Sequence, residues 1–274
     1  MKKSGLSIIE IPRIWILTSV FVALLVTITS LLGILLKETY SRETMAWAIQ
    51  AIGQDYANLA VVALLLISLY FVIRHSVRAY LVWLGAFVYL IYAFVIYAFA
   101  VHFQFLFLAY VVTLGLSAYT LIGGLTAVDK DEVAGKMMPS KKSKWLSAFL
   151  TVVGILFIFL WLSEIIPHLF SGTIPKTLTD TGLWTNPVHV LDLAVLLPGM
   201  IIVSVMLRRK KAVGYLLAVP LAIFTITMGL GIVVMFALSA LKGMPYSLPA
   251  GLLIVIIMAS GSYLTIQFLK EIKE

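Results

Sequence analysis

"NLAVVALLLISLYFVIR" (residues 58–74) and "DLAVLLPGMIIVSVMLR" (residues 192–208) align without a gap at an offset of 134 residues. Each opens on a polar residue, continues Leu-Ala-Val, and stays apolar until an arginine ends it. A helix needs about 20 apolar residues to cross the hydrocarbon of a bilayer, and each stretch with its flanks approaches that length. The pair therefore points both to membrane-spanning helices and to an internal duplication.

Composition agrees. The chain of 274 residues is 62% hydrophobic with a mean hydropathy of +1.09, and only 12% of it is charged. Soluble domains sit near half apolar. A transmembrane β-barrel would show alternating segments of about ten residues, and the apolar runs here are continuous. The net charge of +8 does not point to nucleic acid, because the basic residues lie in short loops beside apolar runs. With no cysteine, disulfides, thiolate metal ligands and cysteine nucleophiles are excluded.

Eight segments qualify as spans: 14–36, 55–73, 79–101, 103–126, 145–167, 188–207, 212–238 and 247–269. The first follows a basic start but is too long for a signal sequence and lacks a small-residue cleavage site, so it reads as a membrane helix. Only "VHFQF" (residues 101–105) separates the third and fourth, which predicts a tight hairpin. Sixteen lysines and arginines fall on one side of the spans, among them Arg74, Arg78 and the 208–211 cluster, against four on the other. By the positive-inside rule both termini are cytoplasmic. Membrane lipids are the expected surroundings, in the cell membrane. The polar stretch 128–144 reads as a solvated cytoplasmic linker between two four-helix repeats, 1–127 and 145–274. Four is even, so the repeats share orientation, as in parallel-repeat transporters.

The offset aligns Asp55 with His189 and Asn58 with Asp192. Residues three apart share a helix face, so each half carries a polar pair near the outer start of a span. His102 in the outer hairpin, and Glu164 with His168 at the outer end of the fifth span, sit at similar depth. Gln54 and Gln104 are nearby. Asp55, Asn58, His102, Glu164, His189 and Asp192 are the candidate ligand-binding residues. Ionisable groups within spans are costly and mark functional positions by default. A carboxylate near a helix N-terminus is also what a cap needs, and both readings stand. No metal-ligand spacing is present, and the cofactor is left open. Tyr89, Tyr92, Phe99 and Phe103 fall roughly on one stripe, which reads as lipid-facing surface, packed core or interfacial belt. Pro198 and Pro220 predict kinks in the sixth and seventh helices, and Leu64 and Gly85 or Ala86 stand at the matching places of the first half. The long outer loop 166–187, with Trp184, reads as an ordered surface segment over the site.

"GQDYANL" at the second span, the aromatic third and fourth spans, and "LDLAVLLPG" followed by "RRKK" resemble a widespread set of prokaryotic multi-spanning membrane proteins. That resemblance covers most of the chain and implies a fold class, but no reaction, ligand or site residue. The residues themselves point to a protein that binds or transports a small molecule, lipid or ion at an outward-facing site between the repeats. Two alternatives stay open: a membrane-embedded enzyme using the same carboxylates and histidines, and a non-catalytic assembly or sensor subunit.

Overall fold

A computed structural model describes residues 9–137 and 142–273. Lys2, Lys3 and Lys141, which entered the charge balance, lie outside the described residues. Among the described residues the regular structure is all helical, and eight helices are long and apolar enough to cross a membrane. They are α1 Arg13–Leu35, α2 Met45–Ile73, α3 Val77–Ala100, α4 Phe107–Thr126, α5 Ser143–Ser171, α6 Pro187–Arg208, α7 Ala212–Leu241 and α8 Leu248–Lys270. The third and fourth spans are divided as expected, by residues 101–106.

The helix boundaries follow local chemistry. Thr44, Ser76, Asn186 and Ser247 cap α2, α3, α6 and α8 by accepting a backbone N–H in the first turn. The Thr44 cap corrects the expected start of the second span. "MAWAIQAIG" carries no charge, so the helix begins ten residues before Asp55.

The turns from α2 to α3 and from α6 to α7 are built alike. His75 and Lys210 adopt left-handed φ of 65° and 56°. In one turn the amide of His75 bonds Val72 O and that of Ser76 bonds Phe71 O; in the other Lys210 bonds Leu207 O and Lys211 bonds Met206 O. These are two Schellman turns, one residue off the original register, with non-glycine residues in the strained position.

Packing has a matching order. α1 lies along α2 and α4, and α5 lies along α6 and α8; α3 joins α2 to α4, and α7 joins α6 to α8. Between these groups α3 and α7 cross, with Gly85 against Pro220 and Ile223. A methyl group on Gly85 would stand 2.6 Å from Ile223 Cβ, so the crossing depends on a missing side chain. α7 also packs along α2, whereas α6 meets α3 chiefly through its first turns, Pro187–Leu191. α3 is the core helix: 67% of its span is buried, against 22% for α5. At one end, here called the basic end, Arg78 donates to Ile272 O at 2.8 Å and Lys273 N bonds Lys136 O. The other end is called distal.

Residues 128–144 are not simply solvated. They hold a short helix, Lys130–Gly135, and bury Val133, Ala134 and Met137, with the short helix packed against α7.

The Pro198 distortion takes a specific form. Asp192–Leu196 is a π-helical turn in which Leu197 N bonds Asp192 O. Proline has no N–H and its ring clashes with the carbonyl four residues back in a regular helix; the wider turn just ahead relieves that conflict. π-turns of this kind are frequent at functional sites.

Candidate functional site

Two buried aspartates occupy the distal half of the bundle, one on each side of α3. Asp55 lies ten residues inside α2, about 15 Å along the helix axis. It is therefore no cap. Its Oδ2 accepts the Tyr40 hydroxyl at 2.7 Å and its Oδ1 the Tyr97 hydroxyl at 2.8 Å. Tyr40 comes from the 3₁₀ turn Lys37–Tyr40 that follows α1. Burial, and after it the Asp55 charge, holds the Tyr40 hydroxyl above the ordinary tyrosine range, so it remains a donor. Gly33 of α1 leaves the space that the carboxylate fills: a methyl group there would lie 2.0 Å from Asp55 Oδ2.

One turn deeper, Asn58 donates to Ser30 Oγ at 3.2 Å and accepts the Tyr89 hydroxyl at 2.9 Å. Gln54 in turn donates to Tyr89 Oη. Asp55, Asn58 and Gln54 thus belong to one buried network joining α1, α2 and α3.

The second carboxylate, Asp192, opens the π-turn of α6. Its Oδ1 accepts the Tyr92 hydroxyl at 2.9 Å, and its Oδ2 the Trp161 indole N–H of α5 at 2.8 Å. The cap of α6 is Asn186, so the capping reading fails here too. One turn toward the distal end, the His189 ring lies 4.5 Å from the Trp161 ring, centroid to centroid. Its Nε2 faces Glu164 Oε2 at 3.8 Å, too far for a hydrogen bond. That nitrogen is buried and has no hydrogen-bond partner. Glu164 Oε1 accepts the hydroxyl of Thr177, which comes from the short helix Lys176–Thr181. α5 and α6 run antiparallel, so Trp161 with Asp192 and Glu164 with His189 form two rungs one turn apart.

The sequence-derived residues divide three ways. Asp55 and Asn58 form the first cluster, and Glu164, His189 and Asp192 the second. His102 joins neither: it lies in the exposed hairpin, where its N–H and Nδ1 meet Glu43 at 2.7 and 2.9 Å. His168 likewise bonds Thr173 at the loop. The aromatic stripe is split: Tyr89 and Tyr92 are buried, and Phe99 and Phe103 are exposed. In the long distal loop Trp184 is 98% exposed, and Thr177, not Trp184, reaches the site. Among the described residues, no three His, Asp or Glu side chains converge as a metal site would need.

Sequence reasoning missed the donors, namely Tyr40, Tyr97 and Trp161. The available signal was chemical. A tyrosine in the middle of an apolar span must place its hydroxyl on an acceptor: Tyr92 and Tyr97 of α3 reach the two carboxylates, and Tyr89 reaches Asn58 Oδ1. Tyr92 and Tyr97 are five residues apart, about 140° around the helix, which is how one helix serves two sites.

Toward the basic end the first half turns apolar: Leu65, Leu69, Trp83, Leu84 and Phe87 fill the interior there, with Trp83 Nε1 on Ser19 Oγ and the nearby Tyr80 Oη on Gly124 O. The second half keeps a buried hydroxyl cluster at that end, in which Ser147 Oγ bonds Ser204 O and accepts Arg208 Nε at 2.7 Å, and Thr265 Oγ1 is buried with no hydrogen-bond partner.

Comparison with known protein families, curated proteins and solved structures finds no match. The eight helices define the class: a multi-pass α-helical membrane protein that buries two aspartates in its distal half.

Proposed function

We propose that this is a cell-membrane protein of carrier type built from two four-helix repeats, that it binds an ion at Asp55 within the first repeat and at Asp192 between the two, and that the ion is the proton. One observation carries the reading. Asp55 and Asp192 are both buried at membrane depth, their partners are neutral hydroxyl and indole donors, and among the described residues no basic side chain lies within ion-pair distance of either. An unpaired carboxylate in such surroundings costs several kcal/mol. The cation that relieves this cost without a larger cavity or further acceptor oxygens is a proton.

Three features support the two-repeat frame: the matched Schellman turns, the parallel packing order, and Gly85 meeting its repeat-equivalent Pro220 at the α3–α7 crossing. The concentration of lysine and arginine at one end supports cytoplasmic termini, which makes the distal end the outer one. The π-turn and Pro198 favour α6 as the helix that moves, since its contact with α3 is light where α7 packs fully on α2. The apolar interior of the first half toward the basic end, on the side of Asp55, favours a second reading, a non-catalytic assembly or sensor subunit in which the same proton sites report pH without passing ions.

Infrared titration of the protein in lipid nanodiscs tests the proton sites. Two protonated-carboxyl bands are expected, one removed by Asp55→Asn and the other by Asp192→Asn. Liposomes with a pH dye inside separate the two readings. Faster acidification of the lumen after an external acid pulse, lost in Asp55→Asn, supports the carrier. Titrating bands without flux support the subunit. The absence of any titrating carboxyl overturns both.

A further inference from the structure

The two carboxylates differ in access to water. Asp55 is enclosed by tyrosines that are themselves buried, Tyr40 and Tyr97. Asp192 shares its partner Trp161 with a histidine three residues before it, and that histidine faces a side chain that reaches the surface: the Glu164 side chain is 26% exposed, the His189 side chain 10%. Histidine is suited to pass protons because it can gain one at one ring nitrogen while releasing another from the second. We infer that His189 is the proton relay between Glu164 and Asp192. The inference rests on the proton reading above and adds the route by which one site exchanges.

The geometry assigns each atom a task. Thr177 donates to Glu164 Oε1, which leaves Oε2 directed at the histidine. Nε2 of His189 has no hydrogen-bond partner, so nothing opposes the tautomer that leaves it an acceptor, and the ring is held against Trp161, the same residue that anchors Asp192. The gap of 3.8 Å between Nε2 and Oε2 closes with a small rotation of either side chain or a single bridging water. His189 and Asp192 are three apart on one helix, so their Cβ atoms are about 5–6 Å apart. A proton leaves the Glu164 carboxyl for Nε2 as the imidazolium forms. The imidazolium then releases the Nδ1 proton to a free lone pair of Asp192, and a change of tautomer restores bare Nε2. One proton has moved from Glu164 to Asp192, and no other bond has changed. The titratable groups around the ring are Glu164 from α5, Asp192 on its own helix, and Tyr92 of α3 through its bond to Asp192. The first half has no counterpart, because the position equivalent to His189 is Asp55 itself.

The test is time-resolved infrared spectroscopy of the full chain in nanodiscs after release of a caged proton, following the Asp192 carboxyl band. His189→Gln and Glu164→Gln are each expected to slow protonation of Asp192 at least tenfold while the final band amplitude stays the same. His189→Ala is expected to be equally slow and to recover with 4-methylimidazole in the buffer, which a merely structural role would not do. The Asp55 band should keep its rate throughout. An Asp192 rate indifferent to His189→Gln and Glu164→Gln overturns the relay and leaves the proton reading standing. A smaller amplitude that 4-methylimidazole does not restore also overturns it. A wild-type protein with no protonated Asp192 band overturns the proton reading, and the relay with it.

Discussion

The Tyr97 hydroxyl lies 2.8 Å from Asp55 Oδ1, donated by the most buried helix of the bundle to a carboxylate ten residues inside its neighbour. Removing it leaves a buried acceptor with one partner fewer, in surroundings where water does not substitute. Tyr97→Phe should lower stability by about 0.6–2 kcal/mol, the range for polar contacts between membrane helices. Tyr92→Phe should cost less, because Asp192 keeps Trp161 and lies nearer the surface. Unfolding in nanodiscs, with Asp55→Asn added to close a double-mutant cycle, reads the coupling directly.

Gly33 tests whether the Asp55 pocket is shaped by α1. A methyl group there would stand 2.0 Å from Asp55 Oδ2 and 2.8 Å from Tyr40 Oη. Gly33→Ala should therefore push the carboxylate off Tyr40, cost about 1–3 kcal/mol as overpacking does, and shift the Asp55 infrared band. Gly115→Ala, in open space on α4, is the control and should leave the band where it is.

The α3–α7 crossing is expected to be intolerant of bulk. In Gly85→Ala the new methyl would meet Ile223 Cβ at 2.6 Å and the Pro220 backbone at 3.1 Å. A loss of about 1–3 kcal/mol is expected. Adding Ile223→Ala should recover part of it, and the backbone contact sets the part that stays lost. Full recovery in the double variant would mean that the Pro220 backbone does not limit the crossing.

His102 belongs to a loop staple with Glu43; its own side chain is 57% exposed, but that of Glu43 is only 2% exposed. His102→Ala removes one partner of a buried carboxylate, which keeps the residue 102 amide, and should cost about 1–3 kcal/mol while leaving both aspartate bands unmoved. A shifted band would tie the hairpin to the site.

Much of the architecture was legible in the chain because hydrocarbon imposes it. Long apolar runs have no alternative to helices, and eight of them were countable, with the α3–α4 break marked by His102 and Gln104. The start of α2 was not legible. "MAWAIQAIG" is too polar at Gln50 to extend an apolar window, yet Thr44 caps a helix through it, and that extension moved Asp55 from a helix end to an interior position. Asp55, Asn58, His189 and Asp192 could be picked out because carboxylates and imidazoles beside apolar runs are conspicuous. Their partners could not, since tyrosine and tryptophan are ordinary in spans and their donors show purpose only once a facing acceptor is known.

The sequence by itself determined that the chain is helical and apolar enough to span a membrane eight times, that its lysines and arginines gather at one end, and that the carboxylates and histidines of its spans gather toward the other, because the cost of exposing backbone or charge to lipid is written in composition and spacing. Only the tertiary structure decided that α3 is the core helix, that its tyrosines divide between two aspartates, and that His102 stands apart while His189 faces Glu164. Those are distances between residues remote in the chain. They depend on the rotation of each helix about its axis, which close approaches such as Gly85 against Pro220 fix and which no local pattern encodes.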